Sequence, residues 1–224
     1  MNNQVKKIAV IGAGGIACHL IPPLSLDYEI VLVDGDSFEP HNSTRQFPAL
    51  QSTGNKAEVL AEMQKGRSNN AVLPIKTYLK GIEIISNEHW RNIDLIIGAV
   101  DNNQSRKLII DLAEDQEVPA ILCGNEVNMG EAHLYLPGVY DPFDFHDFGE
   151  MTPAPFSCTA DENAESAPQT STANFMAAAS GLLILSSWLT MKKQENLTVH
   201  SIMDVRGPSG KARLKDVIAK MAES

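Results

Sequence analysis

The fold of this 224-residue chain is decided near its start by the stretch KIAVIGAGGIA, residues 7–17. The apolar run 7–11 predicts a buried parallel strand, and the residues after Gly14 predict a helix. Glycines between a strand and a helix allow a tight turn and bring backbone N–H groups close to a phosphate. Gly12, Gly14 and Gly15 therefore predict a phosphate-binding loop, although a tight turn without a ligand would use the same residue types.

Strands and helices alternate along the rest of the chain. Apolar runs predict further strands at 29–33, 71–78, 93–100, 119–123, 131–136 and 197–203. Helix-forming residues predict helices at 14 to about 24, 54–65, 105–114, 170–189 and 211–221. Two prolines, at 22 and 23, would stop the first helix there or soon after. This alternation predicts an α/β fold, a Rossmann-like doubly wound sheet that is mostly parallel. Ligands of such sheets bind outside the carboxyl ends of the strands.

The length of the chain favours a single domain over residues 1–224. Residues 137–169 interrupt the alternation, because they are rich in Pro, Asp, Phe and Ser and show no sustained period. They predict a long irregular crossover loop within that domain. Loops of this length inside a compact domain usually have a function.

Composition and charge exclude several classes of partner. Hydrophobic residues make up 43% and charged residues 21%, which is ordinary for a globular protein, and the net charge of −10 argues against nucleic acid or anionic membrane as the main partner. The longest apolar stretch, 175–189, is expected to be too short for a membrane span. Residues 1–7 lack the features of a signal peptide, and three widely spaced cysteines form no disulfide framework. A cytoplasmic protein is expected.

Two aspartates end predicted strands. Asp34 follows the second strand, where a carboxylate can accept hydrogen bonds from ribose hydroxyls. NAD-dependent and ATP-dependent enzymes share this feature, so it does not distinguish them. Asp101, followed by Asn102, ends the central strand, and a carboxylate there suits Mg²⁺ bound together with phosphate oxygens. The alternative for Asp101 is a cap of the helix that begins near Ser105.

A polar cluster follows the second strand and comprises Asn42, Arg45, Gln46 and Lys56. Arg offers a bidentate fork to phosphate oxygens, and Lys offers a compact charge. The two phosphates of a dinucleotide are usually bound by the dipole of a helix N-terminus. A triphosphate carries about four charges and needs fixed cations and a metal. The cluster therefore favours ATP with Mg²⁺. The alternative for Arg45 and Lys56 is a solvated surface pair.

Residues 7 to about 136 resemble the adenylation domain of the ThiF/MoeB/E1 superfamily. The motifs that carry the resemblance are Gly12-x-Gly14-Gly15-x-Ala17, Asp34-x-Asp36, Asn42-x-x-Arg45-Gln46, Lys56 and Asp101-Asn102. Enzymes of this superfamily use ATP to activate the C-terminal carboxylate of a ubiquitin-like or sulfur-carrier protein. The resemblance implies that residues 1–224 form one such domain, that it acts on a small carrier protein of this kind, and that it is a homodimer.

The resemblance also implies a role for each motif residue. Asp34 would hold the ribose, and Asp101 would hold Mg²⁺. Arg45, Lys56 and the metal would stabilise the charge that develops on the phosphates during attack by the carboxylate. The implied nucleotide-binding set is Gly12, Gly14, Gly15, Asp34, Asp36, Asn42, Arg45, Gln46, Lys56, Asp101 and Asn102.

The chain departs from the superfamily pattern in two respects. It has no Cys-x-x-Cys pair, so no structural zinc is expected, and its first strand begins too early to leave room for the N-terminal helix that supplies an Arg to the partner subunit's site in many relatives. These departures leave open a catalytically degenerate nucleotide-binding partner subunit. An NAD-dependent oxidoreductase also stays open, because the glycine loop and Asp34 permit it, although it would leave Arg45, Lys56 and Asp101 without a role.

Cys158 is a further candidate for chemistry. It lies within the predicted crossover loop, in the run Pro155–Thr159. Some superfamily members use a cysteine to carry the activated protein as a thioester, and a thiolate could attack the adenylate carbonyl. The alternative is a small residue packed in the loop. Cys18 and Cys123 fall on a predicted helix and strand and are expected to be core residues.

Overall fold

The computed structural model describes residues 5–50, 52–78, 86–126, 129–139, 141–142, 170–191, 200–204 and 211–215. Its elements in chain order are β1 (Lys7–Ile11), α1 (Gly15–Asp27), β2 (Glu29–Val33), α2 (Lys56–Gln64), β3 (Val72–Ile75), β4 (Leu95–Gly98), α3 (Asn103–Asp115), β5 (Ala120–Glu126), β6 (Met129–Tyr135), α4 (Ser171–Met191), β7 (His200–Asp204) and β8 (Lys211–Lys215). Short 3-10 helices lie at Pro40–Thr44, Phe47–Leu50 and Glu88–Trp90.

The strands form one sheet with the order β3-β2-β1-β4-β5-β6-β7-β8. The strands from β3 to β5 pair in parallel, and β6, β7 and β8 add an antiparallel edge. The winding changes direction between β1 and β4, where Val10 pairs with Ile97. Such a switch point opens a crevice at the carboxyl ends of the strands. The predicted doubly wound, mostly parallel sheet is therefore confirmed.

Helices cover both faces of the sheet. One core cluster joins the strands to α1, α2 and α4, with Leu20, Leu60 and Ala177 as buried members. The other joins the opposite face to α3 through Ile109 and Ala113. Because β1 and β4 are buried on both faces, their sequences are continuous apolar runs rather than alternating ones.

Two predicted elements differ from the structure. Helix α1 runs through Pro22 and Pro23 and ends at Asp27, a little beyond the predicted end near Leu24. Apolar side chains on both sides of the prolines are buried, namely Leu20, Ile21 and Leu24. This packing outweighs the backbone hydrogen bonds that the prolines cannot make. The predicted helix 211–221 is wrong over its described part, because Lys211–Lys215 is a strand that pairs with β7.

Helix α4 agrees closely with the predicted helix 170–189, but it is apolar over a longer stretch than the expected 175–189. Among the described residues it is the one helix long and apolar enough, by length and composition, to cross a membrane, with a mean hydropathy of 1.3 over residues 171–190. The expectation that no stretch reaches this length is therefore wrong. In the structure α4 lies against β5, β6 and α1, and 56% of that window is buried. Burial in the core accounts for its apolar composition.

Candidate functional site

A cavity of about 350 Å³ opens at the carboxyl ends of the parallel strands. Its walls come from the glycine turn, the ends of β2, β4 and β5, the segment before α2, and the first turns of α1 and α4. The cavity is lined by every candidate residue that lies in the described part of the chain: Gly12, Gly14, Gly15, Asp34, Asp36, Asn42, Arg45, Gln46, Lys56, Asp101 and Asn102. Cys158 and most of the predicted loop 137–169 lie outside the described residues.

The turn between β1 and α1 requires glycine at its first position. Gly12 has a φ of +96°, and a Cβ atom there would lie 2.5 Å from the carbonyl oxygen of Ala99. Its backbone N–H donates to the carbonyl of Val33 at 2.9 Å. Gly14 is the N-cap of α1 and contributes no side chain to cap it. The N–H groups at the start of α1 therefore remain available to an anion in the cavity.

The carboxylate of Asp34 is held between two backbone amides. It accepts hydrogen bonds from the N–H of Ala13 at 2.6 Å and from the N–H of Asp36 at 2.7 Å. Burial raises the pKa of the Asp34 carboxyl above its usual value, whereas these two hydrogen bonds and the charge of Lys56 lower it. The Asp34 side chain thus links the end of β2 to the glycine turn by a hydrogen bond, and Asp34 also lines the cavity.

Lys56 is brought to the cavity by the start of α2. Its side chain is 13% exposed, and its ammonium group lies 3.3 Å from the carboxylate of Asp36. The preceding residue, Asn55, caps α2 and donates through its amide to the carbonyls of Asp34 and Asp36. These hydrogen bonds attach the start of α2 to the end of β2. The main chain at Lys56 is therefore held beside the cavity.

Arg45 and Gln46 carry buried polar atoms that no described residue satisfies. Among the described residues, Arg45 Nε and Gln46 Oε1 have no hydrogen-bond partner although both atoms are buried. The backbone N–H groups of both residues donate to the carbonyl of Asn42, a buried residue within the preceding 3-10 helix. Because buried polar groups are nearly always paired, these two atoms need partners beyond the described residues, and both residues line the cavity.

Asp101 and Asn102 divide two tasks at the end of β4. Asn102 caps α3, since its side-chain oxygen accepts from the N–H of Ser105 at 2.8 Å. The alternative role predicted for Asp101, capping this helix, is therefore carried out by Asn102. Asp101 itself is exposed at the cavity. The pKa of Arg106 is lowered overall because the side chain is buried. The negative charges of Glu131 and Asp101 act in the opposite direction and offset part of this shift.

Metal-binding groups are sparse in the part of the chain that the structure describes. No cluster of three His, Cys, Asp or Glu side chains forms there. Asp101 could hold Mg²⁺ only together with phosphate oxygens and water, a mode that this ion commonly adopts.

Sequence reasoning missed several residues of the cavity wall: Thr77, Tyr78, Ser105, Asn125 and Asn174. Asn125 follows the apolar run of β5, and the strand-end argument used for Asp34 and Asp101 would have found it. Asn174 offered no such signal, because it lies in the first turn of a helix. A hydrogen bond to Asp36 raises the pKa of the exposed Tyr78 hydroxyl, with the charge of that carboxylate acting in the same direction.

The two described cysteines are core residues. Cys18 and Cys123 are each about 1% exposed, and burial raises the pKa of both thiols to about 12. Neither is a thiolate near neutral pH, as expected for cysteines packed in apolar surroundings.

Solved structures with a similar fold include E. coli MccB and PaaA. The MccB structure has a TM-score of 0.65 and 19% identity, and the match covers 93% of this chain and 62% of MccB. For PaaA the TM-score is 0.62 and the identity 18%, over 95% of this chain and 73% of PaaA. At these identities the comparison shows a shared fold.

Similar sequences include activating enzymes of ubiquitin-like proteins. The chain is 30% identical to SUMO-activating enzyme subunit 2 of Dictyostelium discoideum over 63% of this chain and 22% of that protein. It is 31% identical to the NEDD8-activating enzyme E1 catalytic subunit of Arabidopsis thaliana over 62% of this chain and 34% of that protein. The matches thus span about a third or less of these relatives. The family model described as "ThiF family" matches residues 3–206, and the chain belongs to the ThiF family.

Proposed function

We propose that this protein is an ATP-dependent adenylyltransferase that activates the C-terminal carboxylate of a small ubiquitin-like or sulfur-carrier protein. The observation that carries the proposal is a single cavity lined by Arg45, Lys56 and Asp101 beside a glycine turn. Membership of the ThiF family supports it, as does the similarity to enzymes that activate SUMO and NEDD8. One similar structure of E. coli MccB, with a TM-score of 0.63, contains AMPCPP and MccA.

The residues of the cavity fit a nucleoside triphosphate. Arg45 offers N–H donors to phosphate oxygens, and its buried Nε lacks a partner among the described residues. Lys56 adds a second cation that is mostly buried, which strengthens its attraction for a phosphate. These local cations matter because the whole chain carries a net charge of −10, which repels a polyanion at long range.

The proposed reaction begins with attack by the carrier's terminal carboxylate on the α-phosphorus of ATP. The bond from that phosphorus to the bridging oxygen of the β-phosphate breaks, and pyrophosphate leaves with the bonding electrons. The product is an acyl-adenylate. No general base is needed, because the attacking carboxylate is already ionised at neutral pH. Arg45 and Lys56 stabilise the charge that develops on the phosphate oxygens.

Asp101 is the residue that would hold Mg²⁺ at this site. When bound, the ion acts as a Lewis acid toward the phosphate oxygens. Asp34 is placed to accept hydrogen bonds from ribose hydroxyls through the lone pairs that its two backbone amides leave free.

A second step is proposed at Cys158. The buried thiols of Cys18 and Cys123 are unsuited to it, which leaves Cys158 as the remaining cysteine of the chain. Its thiolate would attack the acyl carbon of the adenylate, the bond from that carbon to the phosphate oxygen would break, and AMP would leave. We expect the carrier to form a thioester that added thiols cleave. Cys158→Ser should abolish this thioester and leave pyrophosphate exchange intact. A thioester that survives this substitution would contradict the step.

The adenylation step is tested by ATP–pyrophosphate exchange with small carrier proteins that end in glycine. Exchange that depends on the carrier is expected in the wild type, and Asp101→Ala should reduce it at least about 100-fold, a typical loss for removal of an electrostatic transition-state contact. Asp115→Ala removes the same charge from the exposed far end of α3 and should leave exchange intact.

Two outcomes would contradict this account. Undiminished exchange in Asp101→Ala would remove Asp101 from the mechanism. ATP binding without exchange, for every glycine-terminated carrier tested, would indicate a nucleotide-binding partner subunit instead of an enzyme.

A further inference from the structure

A buried asparagine reaches the triphosphate cavity from the far end of the chain. Asn174 lies in the first turn of α4, and only 1% of its surface is exposed. Its amide Nδ2 donates to the backbone carbonyl of Arg45 at 3.3 Å, and its Oδ1 accepts from Nδ2 of Asn125 at 2.7 Å. One side chain therefore connects α4 to the end of β5 and to the segment that carries Arg45.

The glycine turn is shaped to admit this side chain. A Cβ atom on Gly15 would lie 2.1 Å from Nδ2 and 2.6 Å from Cγ of Asn174. These distances are far below a van der Waals contact, so any side chain at this position would displace the amide. The absence of a side chain at the start of α1 is thus what allows α4 to reach Arg45.

Hydrogen bonds hold the main chain on both sides of Arg45, and Asn174 supplies one of them. Arg45 lies between two 3-10 helices with a φ of −140°, outside any regular element. Its N–H donates to the carbonyl of Asn42 at 3.1 Å, and its C=O accepts from Asn174. The N–H of Gln46, on the same peptide as the Arg45 C=O, also donates to the carbonyl of Asn42 at 2.8 Å. These backbone bonds fix the point from which the Arg45 side chain leaves the main chain at the wall of the cavity. The Nε of that side chain has no partner among the described residues.

We propose that Asn174 is a positioning residue for ATP, which orders the backbone that carries Arg45 at the cavity before the nucleotide arrives. This inference rests on the proposed function for the ligand it invokes. Preorganisation of this kind raises affinity because the cost of ordering the arginine is met before binding. Asn174 acts through Arg45, so its effect on ATP binding should exist only while the arginine is present.

A double-mutant cycle on ATP affinity tests this dependence. Mg-ATP binding is measured by calorimetry for the wild type, Asn174→Ala, Arg45→Ala and the double variant. Asn174→Ala should weaken binding about tenfold in the wild type and less than about twofold in Arg45→Ala, since residues that act as a unit are not additive. Ser180→Ala truncates another buried polar side chain of α4, away from the cavity, and should not change affinity.

Thermal unfolding separates this role from a purely structural one. Asn174→Ala leaves Asn125 without its partner, so it should lower the melting temperature by a similar amount in both backgrounds, while affinity changes in only one. If Asn174→Ala does not fold, Asn174→Ser replaces it in the same cycle, because a hydroxyl with water can occupy part of the amide's space.

The outcomes distinguish this proposal from the proposed function. Equal losses of ATP affinity in both backgrounds, or no loss in either, would overturn the positioning role alone. Non-additive affinities together with absent pyrophosphate exchange would support the positioning role and overturn adenylation. A wild type that does not bind Mg-ATP at all would overturn both.

Discussion

The carboxylate of Asp34 accepts a hydrogen bond from the backbone N–H of Ala13 at 2.6 Å, and this bond joins the end of β2 to the glycine turn after β1. The other carboxylate oxygen accepts from the N–H of Asp36. Asp34, which its sequence position predicts to hold a ribose, therefore also fixes the predicted phosphate-binding loop. Its substitution should affect the fold as well as the ligand.

Asp34→Asn should lower the free energy of unfolding by about 1–3 kcal/mol, because an amide retains one acceptor oxygen and presents a donor to the second backbone N–H. The loss should depend on pH. Burial raises the pKa of Asp34 in the native protein above its ordinary 3.8. At pH values between 3.8 and this raised pKa, the native wild type therefore binds more protons than the unfolded chain. Its stability therefore falls there as pH rises.

The stability gap between the wild type and Asp34→Asn should accordingly narrow as pH rises from 3.8 through the raised pKa. Urea unfolding across this range measures the gap, with Asp115→Asn as a variant that removes an exposed carboxylate. A gap that widens with pH would contradict the assigned shift.

Gly12→Ala should destabilise the protein more than Gly66→Ala. Both glycines have positive φ, +96° and +72°, so each substitution carries backbone strain of about 1–2 kcal/mol. A Cβ on Gly12 would also lie 2.5 Å from the Ala99 carbonyl oxygen, whereas nothing lies within 4 Å of one on Gly66. The extra contact should bring the Gly12 effect to about 3 kcal/mol or more. Equal shifts in urea midpoints would contradict the close approach.

Thiol labelling tests the burial of two cysteines. With pKa values of about 12, Cys18 and Cys123 have a thiolate fraction of about 10⁻⁴ at pH 8. Native Cys158→Ser should therefore show no rapid reaction with a disulfide reagent, and two thiols should react after unfolding in guanidinium. Rapid labelling of the native variant at pH 8 would contradict the core assignment.

The strands and the polar residues at their ends could be predicted from sequence because both depend on local patterns. Apolar runs identified β1, β2 and β4, and topology then brings the residues that follow them to one edge of the sheet. That rule explains why Asp34 and Asp101, distant in sequence, line the same cavity.

Other features depend on packing that local patterns do not record. The prolines of α1 are tolerated because the helix is buried around them. The run Lys211–Lys215 alternates charged and apolar residues, a period typical of a strand, but good helix formers obscured it. Asn174 entered the site through the close approach of α4 to Gly15, which only the three-dimensional arrangement reveals.

The central claim is that Arg45, Lys56 and Asp101 serve one triphosphate, and nucleotide binding by calorimetry in the presence of Mg²⁺ tests it most directly. Affinity should rise from AMP through ADP to ATP, and NADH should bind weakly. Lys56→Ala should weaken ATP binding at least about tenfold and AMP binding little, because a fixed cation acts on the outer phosphates. Lys65→Ala, at the exposed other end of α2, should change neither. Tight binding of NADH without binding of ATP, or equal affinity for AMP and ATP, would contradict the account.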